Sequence, residues 1–256
     1  MKATVTQLPE EPQAFEAAFA DLVAHTQAES SDLVLLPEMP FYPWVAYEAE
    51  VDPGRWAAAI DAHEEWLARL PALGAQVVVG SRPVLDNGTP HNDAFAALAD
   101  GGSQFAHRKY YLPDEDGFWE ATWYRPAAQP SFKALETPVA KIGLMICSDL
   151  WFTEHARGYA RQGVQLLLNP RATEKASVEK WLAGGRAAAV MAGAYGLSSN
   201  RVGQGRGFDW GGSGWIVDPN GEILARTSDK KPLVTLELDL DLADQAKNTY
   251  PRDVKE

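Results

Sequence analysis

Short apolar runs that each stop at a polar residue constrain the fold of this chain more than any other feature. Residues 33–36 form a continuous apolar run of the kind found in strands buried on both faces, and the run stops at Pro37 and Glu38. Residues 76–80 and 141–147 repeat this pattern. A strand that is covered on both faces needs a further layer on each side, so the pattern predicts helices packed on sheets.

The segments between these runs have helical periodicity. Phe15, Phe19 and Leu22 fall on one face of the first segment, which is rich in alanine. The predicted helices are residues 12–28, 53–70, 152–162 and 178–194. Turn signals at residues 86–88 and 219–221 predict β-hairpins. The alternation of strands and helices is typical of layered α/β or α+β packing.

The length of 256 residues and the hydrophobic content of 46% suit one large core, so residues 1–256 are predicted to form a single domain. Residues 239–256 are charged and show no strong pattern. We expect them to be a C-terminal arm that either packs on a partner or is mobile. The glycine-rich residues 203–207 are predicted to be a loop, because Phe208 replaces the third glycine of a dinucleotide-binding fingerprint.

The formal net charge of −12 excludes several classes of partner. Such an acidic chain opposes phosphate binding and offers no basic patch to nucleic acid or to anionic lipid. The sequence has no apolar stretch of about 18 residues, and its first segment soon turns polar, so neither a membrane span nor a secretory signal is predicted. We therefore expect a cytoplasmic protein that binds a small molecule rather than a nucleic acid or a membrane.

Cys147 is the only cysteine of the chain, which excludes an intrachain disulfide and any multi-cysteine metal site. It lies where an apolar run gives way to a polar turn before a predicted helix. Backbone N–H groups converge at such a turn and favour a thiolate or an oxyanion. An unpaired cysteine is equally often an inert part of the core, so its position alone leaves both interpretations open.

A catalytic thiol needs a base or a nearby cation, because a thiol with a pKa of about 8.5 is little ionised at neutral pH. Glu38 and Lys109 each follow a predicted strand, and Glu120 lies in the aromatic loop of residues 110–130. Each charge alone is typical of a solvated surface. The loop is too long for a simple connector, so it is predicted to form part of a site.

Ordered motifs then run along the chain. They are LLPE at residues 35–38, HRKYYLP at 107–113, ICSDLWF at 146–152, GVQLLLNP at 163–170, SNRVG at 199–203 and GSGWIVDPNG at 212–221. Through these motifs the sequence resembles the nitrilase, or carbon-nitrogen hydrolase, superfamily, from the first strand to about residue 240. One departure is Thr153, where the family usually has proline.

The resemblance implies an α+β fold, namely a four-layer α-β-β-α sandwich, and a catalytic triad of Glu38, Lys109 and Cys147. Glu38 would be the general base and Cys147 the nucleophile, while Lys109 and the backbone N–H of Ser148 would stabilise the oxyanion. Glu120 corresponds to a second glutamate of the family. The resemblance implies neither a metal nor an organic cofactor, and it implies a homodimer or a higher homo-oligomer.

The expected reaction is cysteine-dependent hydrolysis of a non-peptide C–N bond through a thioester, with release of ammonia or an amine. Residues 117–124 resemble the corresponding loop of ureido- and carbamoyl-amide hydrolases, so the expected substrate is a small linear amide or an N-carbamoyl or ureido amide. Nitrile hydrolysis and acyl transfer to an amine would use the same triad. A non-catalytic interaction module of the same fold is a further alternative.

A cysteine–histidine pair would instead indicate a thiol protease or an acyltransferase. Among the five histidines, His25 and His63 are predicted at exposed helical positions, and His155 is predicted to point away from the thiol. None of them has a better setting than Glu38, so the carboxylate is the preferred base.

Residues beside the proposed catalytic groups are candidates for substrate binding. Tyr42, Trp119 and Trp151 could wall a pocket that excludes water, although loop packing or a subunit interface explains such residues equally well. Arg171 could bind a substrate carboxylate in bidentate geometry, or it could pair with Glu174.

Overall fold

A computed structural model describes residues 1–254 of the chain, and these residues combine helices with β-sheets. The strands are β1 (Lys2–Pro9), β2 (Leu33–Leu35), β3 (Val77–Asp86), β4 (Thr89–Leu98), β5 (Ser103–Arg108), β6 (Leu135–Glu136), β7 (Lys141–Leu144), β8 (Leu166–Pro170), β9 (Tyr195–Gly205), β10 (Phe208–Gly211), β11 (Trp215–Val217), β12 (Ile223–Arg226) and β13 (Leu233–Glu237). The helices are α1 (Pro12–Glu29), α2 (Pro53–Leu67), α3 (Glu120–Trp123), α4 (Thr153–Arg161), α5 (Val178–Ala192) and α6 (Leu240–Ala246). Short 3₁₀ helices cover Leu70–Leu73, Cys147–Trp151 and Lys175–Ser177.

The strands form two sheets that meet at β1. In the first sheet the order is β5, β4, β3, β2, β1 and β13, and in the second it is β6, β7, β8, β9, β11 and β12. The strands β1, β2 and β3 run parallel, as do β7, β8 and β9. Gln7 to Pro9 of β1 pair with Asn200 to Val202 of β9, and this short parallel contact joins the two sheets.

One hydrophobic core lies between the sheets. Leu35 and Val79 of the first sheet share this core with Leu144, Leu168 and Leu197 of the second. Because successive side chains of a strand point to opposite faces, the intervening residues face outward and need a second covering layer. The continuous apolar runs of the sequence are therefore explained by burial on both faces.

The outer faces of both sheets are covered by helices. Phe15 and Phe19 of α1 pack with Val34 on the outer side of the first sheet. Tyr159 of α4 packs with Leu167 on the outer side of the second sheet, and α5 contributes to the same cluster. The order of layers is helix, sheet, sheet, helix, so the predicted α+β class and the four-layer α-β-β-α sandwich are confirmed.

Several predicted boundaries are wrong. The strand predicted over residues 141–147 ends at Leu144, because Cys147 opens a 3₁₀ helix. The predicted loop at residues 203–207 belongs largely to a β-hairpin, since β9 continues to Gly205 and pairs with β10. The helix predicted over residues 53–70 ends at Leu67.

The predicted C-terminal arm is partly integrated into the fold. Residues 240–246 form α6, and Ala243 is fully buried in the core between the sheets, so this part of the arm is not a mobile end. Residues 255–256 lie outside the described part of the chain. No helix within residues 1–254 combines the length and the apolar character needed to cross a membrane.

Tyr159 fixes α4 on β7. Its hydroxyl donates to the carbonyl oxygen of Leu144 at 2.8 Å and accepts from the backbone N–H of Leu144 at 3.1 Å. Its ring lies over Gly143, where an added Cβ would approach the ring to 2.9 Å. A glycine in β7 therefore makes room for the tyrosine, and the tyrosine bonds the strand beside it.

Tyr159→Phe should destabilise the protein, because it removes both buried hydrogen bonds to Leu144. We expect a loss of about 1–3 kcal/mol, which corresponds to a fall in melting temperature of about 2–8 °C for a domain of this size. Tyr250→Phe is the control, since Tyr250 is 80% exposed. Equal melting temperatures for the two variants would contradict this account of how α4 is held.

Candidate active site

Lys109, Glu38 and Glu120 form one buried cluster. The Lys109 Nζ atom lies 2.8 Å from Glu38 Oε1 and 2.5 Å from Glu120 Oε2, and no side chain of the three is more than 1% exposed. Glu38 comes shortly after β2, Lys109 directly follows β5, and Glu120 begins α3 in the aromatic loop. The fold therefore brings together three charges that the sequence predicted to act jointly.

Asn92 on β4 is a further member of this cluster, and the sequence analysis missed it. Its Nδ2 donates to Glu38 Oε1 at 2.8 Å, and its backbone carbonyl accepts from the backbone N–H of Lys109 at 2.9 Å. Its one signal in the sequence is a polar residue near the start of an apolar strand. Tyr124 of the aromatic loop also joins the cluster, because its hydroxyl donates to Glu120 Oε2.

The two oxygens of Glu38 differ in their surroundings. Oε1 accepts hydrogen bonds from both Asn92 and Lys109. Oε2 is buried, and within residues 1–254 no donor reaches it. Buried polar atoms are rarely left without a partner, so an unpartnered carboxylate oxygen at this position calls for a functional explanation.

Cys147 lies at a sharp turn after β7. Its backbone φ is +44°, a conformation that costs free energy in a residue other than glycine and that is common at functional sites. The side chain is 4% exposed, and its Sγ lies 4.0 Å from the carbonyl oxygen of Ala172. The thiol is therefore held at a constrained turn and is nearly closed off from solvent.

The electrostatic environment keeps this thiol protonated. Burial raises the pKa of Cys147 well above its usual value, the charges of Glu38 and Glu120 raise it further, and Lys109 opposes them. Burial also raises the pKa of Glu120 to about 7, against the effect of Lys109. For Lys109, burial favours the neutral amine, but the two carboxylates outweigh it and raise its pKa. At rest the site holds a neutral thiol beside a charged ammonium.

Asp149 ties the turn at Cys147 to the segment around Lys109. Its carboxylate is fully buried. It accepts four hydrogen bonds of 2.9–3.2 Å, from the backbone N–H groups of Tyr110, Tyr111 and Ile146 and from the ring of His107. One side chain therefore fixes the position of the proposed nucleophile relative to the proposed oxyanion cation.

Three of the predicted binding residues lie close to this cluster along the chain. Tyr42 and Trp119 are partly buried and pack against a hydrophobic cluster that includes Trp44 and Trp210. Ser148 follows the thiol, and its hydroxyl donates to a backbone carbonyl, that of Tyr111, at 2.5 Å. These positions are compatible with the wall of a pocket and with the predicted oxyanion N–H.

Two other predicted binding residues are placed differently. Trp151 is 41% exposed on the outer side of the second sheet, where its ring lies 4.9 Å from that of Trp181, so it packs between helices rather than lining the site. Arg171 is fully buried and neither offers a free fork to a carboxylate nor pairs with Glu174. Its guanidinium donates to oxygens of Ser198, Thr173, Gly212 and Ser213. The guanidinium therefore bonds the protein itself, in contrast to the prediction that Arg171 binds a substrate carboxylate.

The histidine predictions are also partly wrong. His63 is 1% exposed rather than on the surface, its Nδ1 lies 2.7 Å from the carbonyl oxygen of Ala59, and burial lowers its pKa to about 3. His155 stacks on Phe132 and its Nε2 lies 2.8 Å from the hydroxyl of Tyr111. These contacts give both rings packing roles that do not involve the thiol.

Asp149→Asn should destabilise the protein strongly, because an amide has one accepting oxygen and would turn its own N–H groups toward backbone donors. We expect a loss of about 3 kcal/mol or more in the free energy of unfolding, measured by urea denaturation. Asp61→Asn is the matched control, since Asp61 is exposed on α2. The proposed role of Asp149 fails if both variants unfold at the same urea concentration.

Comparisons with known proteins agree with this architecture. A family model described as carbon-nitrogen hydrolase matches residues 2–248. The chain is 28% identical over 253 residues to an N-carbamoylputrescine amidase of Arabidopsis thaliana, which covers 91% of this chain and 84% of the relative. It is 30% identical over 210 residues to a citrullinase of Francisella tularensis, which covers 75% of this chain and 72% of the relative.

A solved structure supports the same assignment. The crystal structure of a carbon-nitrogen hydrolase from Helicobacter pylori superposes with a TM-score of 0.86 at 26% identity, and the match covers 98% of this chain and 94% of that one. The resemblance first noticed in the ordered motifs therefore extends to sequence relatives and to the fold. This chain belongs to the carbon-nitrogen hydrolase family.

Proposed function

We propose that the protein hydrolyses the C–N bond of a small linear amide, or of an N-carbamoyl or ureido amide, through a thioester formed on Cys147. The observation that carries this proposal is the asymmetry of Glu38, whose Oε1 is fixed by Lys109 and Asn92 while its buried Oε2 has no donor within residues 1–254. A carboxylate held in this way can accept the proton of the neighbouring thiol.

The first half-reaction forms the thioester. Glu38 takes the proton from Cys147 as the sulfur attacks the carbonyl carbon, so the thiol ionises only as the C–S bond forms. The Lys109 ammonium and the backbone N–H of Ser148 stabilise the charge that develops on the carbonyl oxygen. Protonated Glu38 then gives its proton to the leaving nitrogen, and ammonia or an amine departs.

The second half-reaction uses water. Glu38 removes a proton from a water molecule, whose oxygen attacks the thioester carbon and forms a second oxyanion. The C–S bond then breaks, the sulfur takes the proton that Glu38 removed from the water, and the acid is released. Glu120 keeps the ammonium of Lys109 in place through both steps, since its carboxylate accepts a hydrogen bond from Nζ.

The names of two relatives, N-carbamoylputrescine amidase and citrullinase, support the N-carbamoyl and ureido class of substrate. Tyr42 and Trp119 would wall the pocket for such a substrate and separate it from bulk solvent, apart from the water molecule that attacks the thioester. We further propose a cytoplasmic homodimer that packs sandwich to sandwich. The exposed Trp151 on the outer helical layer suits such a contact.

Cys147→Ala should abolish turnover and leave the fold intact, because it removes only the nucleophile. Ammonia and amine release should be measured for the wild type and the variant with simple amides, N-carbamoyl compounds, ureido acids and nitriles. Release by the wild type alone would support the thioester route and define the substrate class. Turnover by Cys147→Ala would refute it, and products that appear only with added amine would indicate acyl transfer.

The kcat/KM of the wild type should fall as the pH is lowered through about 7, because burial raises the pKa of Glu120 to about 7. Protonation of this carboxyl removes one of the two counter-charges of Lys109.

The same raised pKa means that Glu120 favours the folded state at low pH and that this stabilisation is lost as the pH rises.

Glu120→Gln is the variant that checks this assignment. It removes the titrating group, so the acid limb of kcat/KM should move to lower pH while the rate at high pH falls. An acid limb at the same pH in this variant would show that another group controls it.

A further inference from the structure

Arg171 is a buried cation that the proposed chemistry does not use. It is 0% exposed, and its guanidinium lies 4.3 Å from the centroid of the Trp215 ring. Its four hydrogen bonds all go to uncharged oxygens, and in the described part of the chain no carboxylate forms an ion pair with it. Burial lowers the pKa of Arg171 to about 9. Burying a cation without a counter-charge is costly, so its location calls for an explanation.

A chain of buried hydrogen bonds runs from Arg171 to the backbone of Cys147. Arg171 Nε donates to Ser198 Oγ at 3.0 Å, and Ser198 Oγ donates to the carbonyl oxygen of Asn169 at 2.7 Å. The Nδ2 of Asn169 donates to the carbonyl oxygens of Met145 at 2.6 Å and Cys147 at 3.3 Å. The positive φ of Cys147 is strained and persists only where surrounding contacts stabilise it. The hydrogen bonds that run from Arg171 through Ser198 and Asn169 fix the carbonyl group of Cys147.

The backbone next to Arg171 reaches the proposed base. The carbonyl oxygen of Arg171 accepts from the backbone N–H of Glu38 at 3.3 Å. The next carbonyl, that of Ala172, lies 4.0 Å from Cys147 Sγ. The residue pair 171–172 therefore lies between the base and the nucleophile, and the guanidinium fixes this pair against β9 and the segment that follows β10.

We propose that Arg171 is a positioning residue that sets the distance between Glu38 and Cys147 through Ser198 and Asn169. The inference rests on the proposed function and adds to it a group that does not touch the reacting atoms. Lysine could not replace arginine here, because a single ammonium cannot serve acceptors arranged around a planar guanidinium. A misplacement of about 1 Å between reacting groups can cost about 100-fold in rate, so such a network can control turnover.

Ser198→Ala tests this proposal with little risk to folding. It removes the hydroxyl that links Arg171 to Asn169, and it adds no bulk. The matched control is Ser199→Ala, the next residue on β9. Ser199 is also fully buried. Its hydroxyl accepts from the N–H of Thr6 and donates to the carbonyl of Leu35, so it takes no part in the hydrogen bonds that connect Arg171 with Cys147. Both variants lose buried hydrogen bonds, so the melting temperatures of both should fall to a similar extent.

Only Ser198→Ala should impair the chemistry. We expect its kcat to fall by about tenfold or more with KM changed by less than about twofold, whereas Ser199→Ala keeps both values within about twofold of the wild type. Alkylation of Cys147 by iodoacetamide should slow by a similar factor in Ser198→Ala, and the label reports on one site because the chain has a single cysteine. Arg171→Lys should behave like Ser198→Ala.

A Ser198→Ala variant whose kcat and alkylation rate equal those of Ser199→Ala would overturn the role of Arg171. The two readouts also separate this inference from the proposed function. If the wild type releases no product from any substrate tested, the proposed function fails, and the alkylation rates alone then decide whether the network from Arg171 controls the thiol.

Discussion

The sharing of one ammonium between two buried carboxyl groups is the interaction on which the rest of the site depends. Without Lys109, Glu38 and Glu120 would repel each other in a site largely buried from solvent, and burying each charge would cost several kcal/mol. With it, one oxygen of Glu38 is fixed, while the other has no donor within residues 1–254. Burial raises the pKa of the nearby Cys147 thiol, and the two carboxylates raise it further.

The two-sheet architecture determines how these groups meet. Glu38 and Lys109 follow strands of the first sheet, whereas Cys147 and Arg171 follow strands of the second. The distance between the proposed base and the proposed nucleophile therefore depends on how one sheet is placed on the other. The pairing of β1 with β9 and the bond from Glu38 N–H to the Arg171 carbonyl hold that placement close to the site.

The sequence predicted the fold class, and it predicted the cluster of Glu38, Lys109 and Glu120, because strand ends and motif order are local properties. It could not predict Asn92 or Asp149 as parts of the site, since their partners are far away in the chain and a single polar residue in a strand has many explanations. The predictions for Arg171 and His63 differ from the structure for a related reason. Their residue types suggest exposure or ligand binding, and only tertiary packing reveals that both are buried.

The neutral, enclosed state of Cys147 also bears on how the protein withstands oxidants. Peroxide attacks thiolates far faster than thiols, and a sulfenic acid at this position would remove the chain's one sulfur nucleophile. Because the proton leaves the sulfur only during attack on a substrate, the idle protein offers an oxidant very little thiolate. Under the proposed mechanism a working molecule carries an acylated sulfur instead, so neither the resting nor the working form would offer peroxide a free thiolate for long.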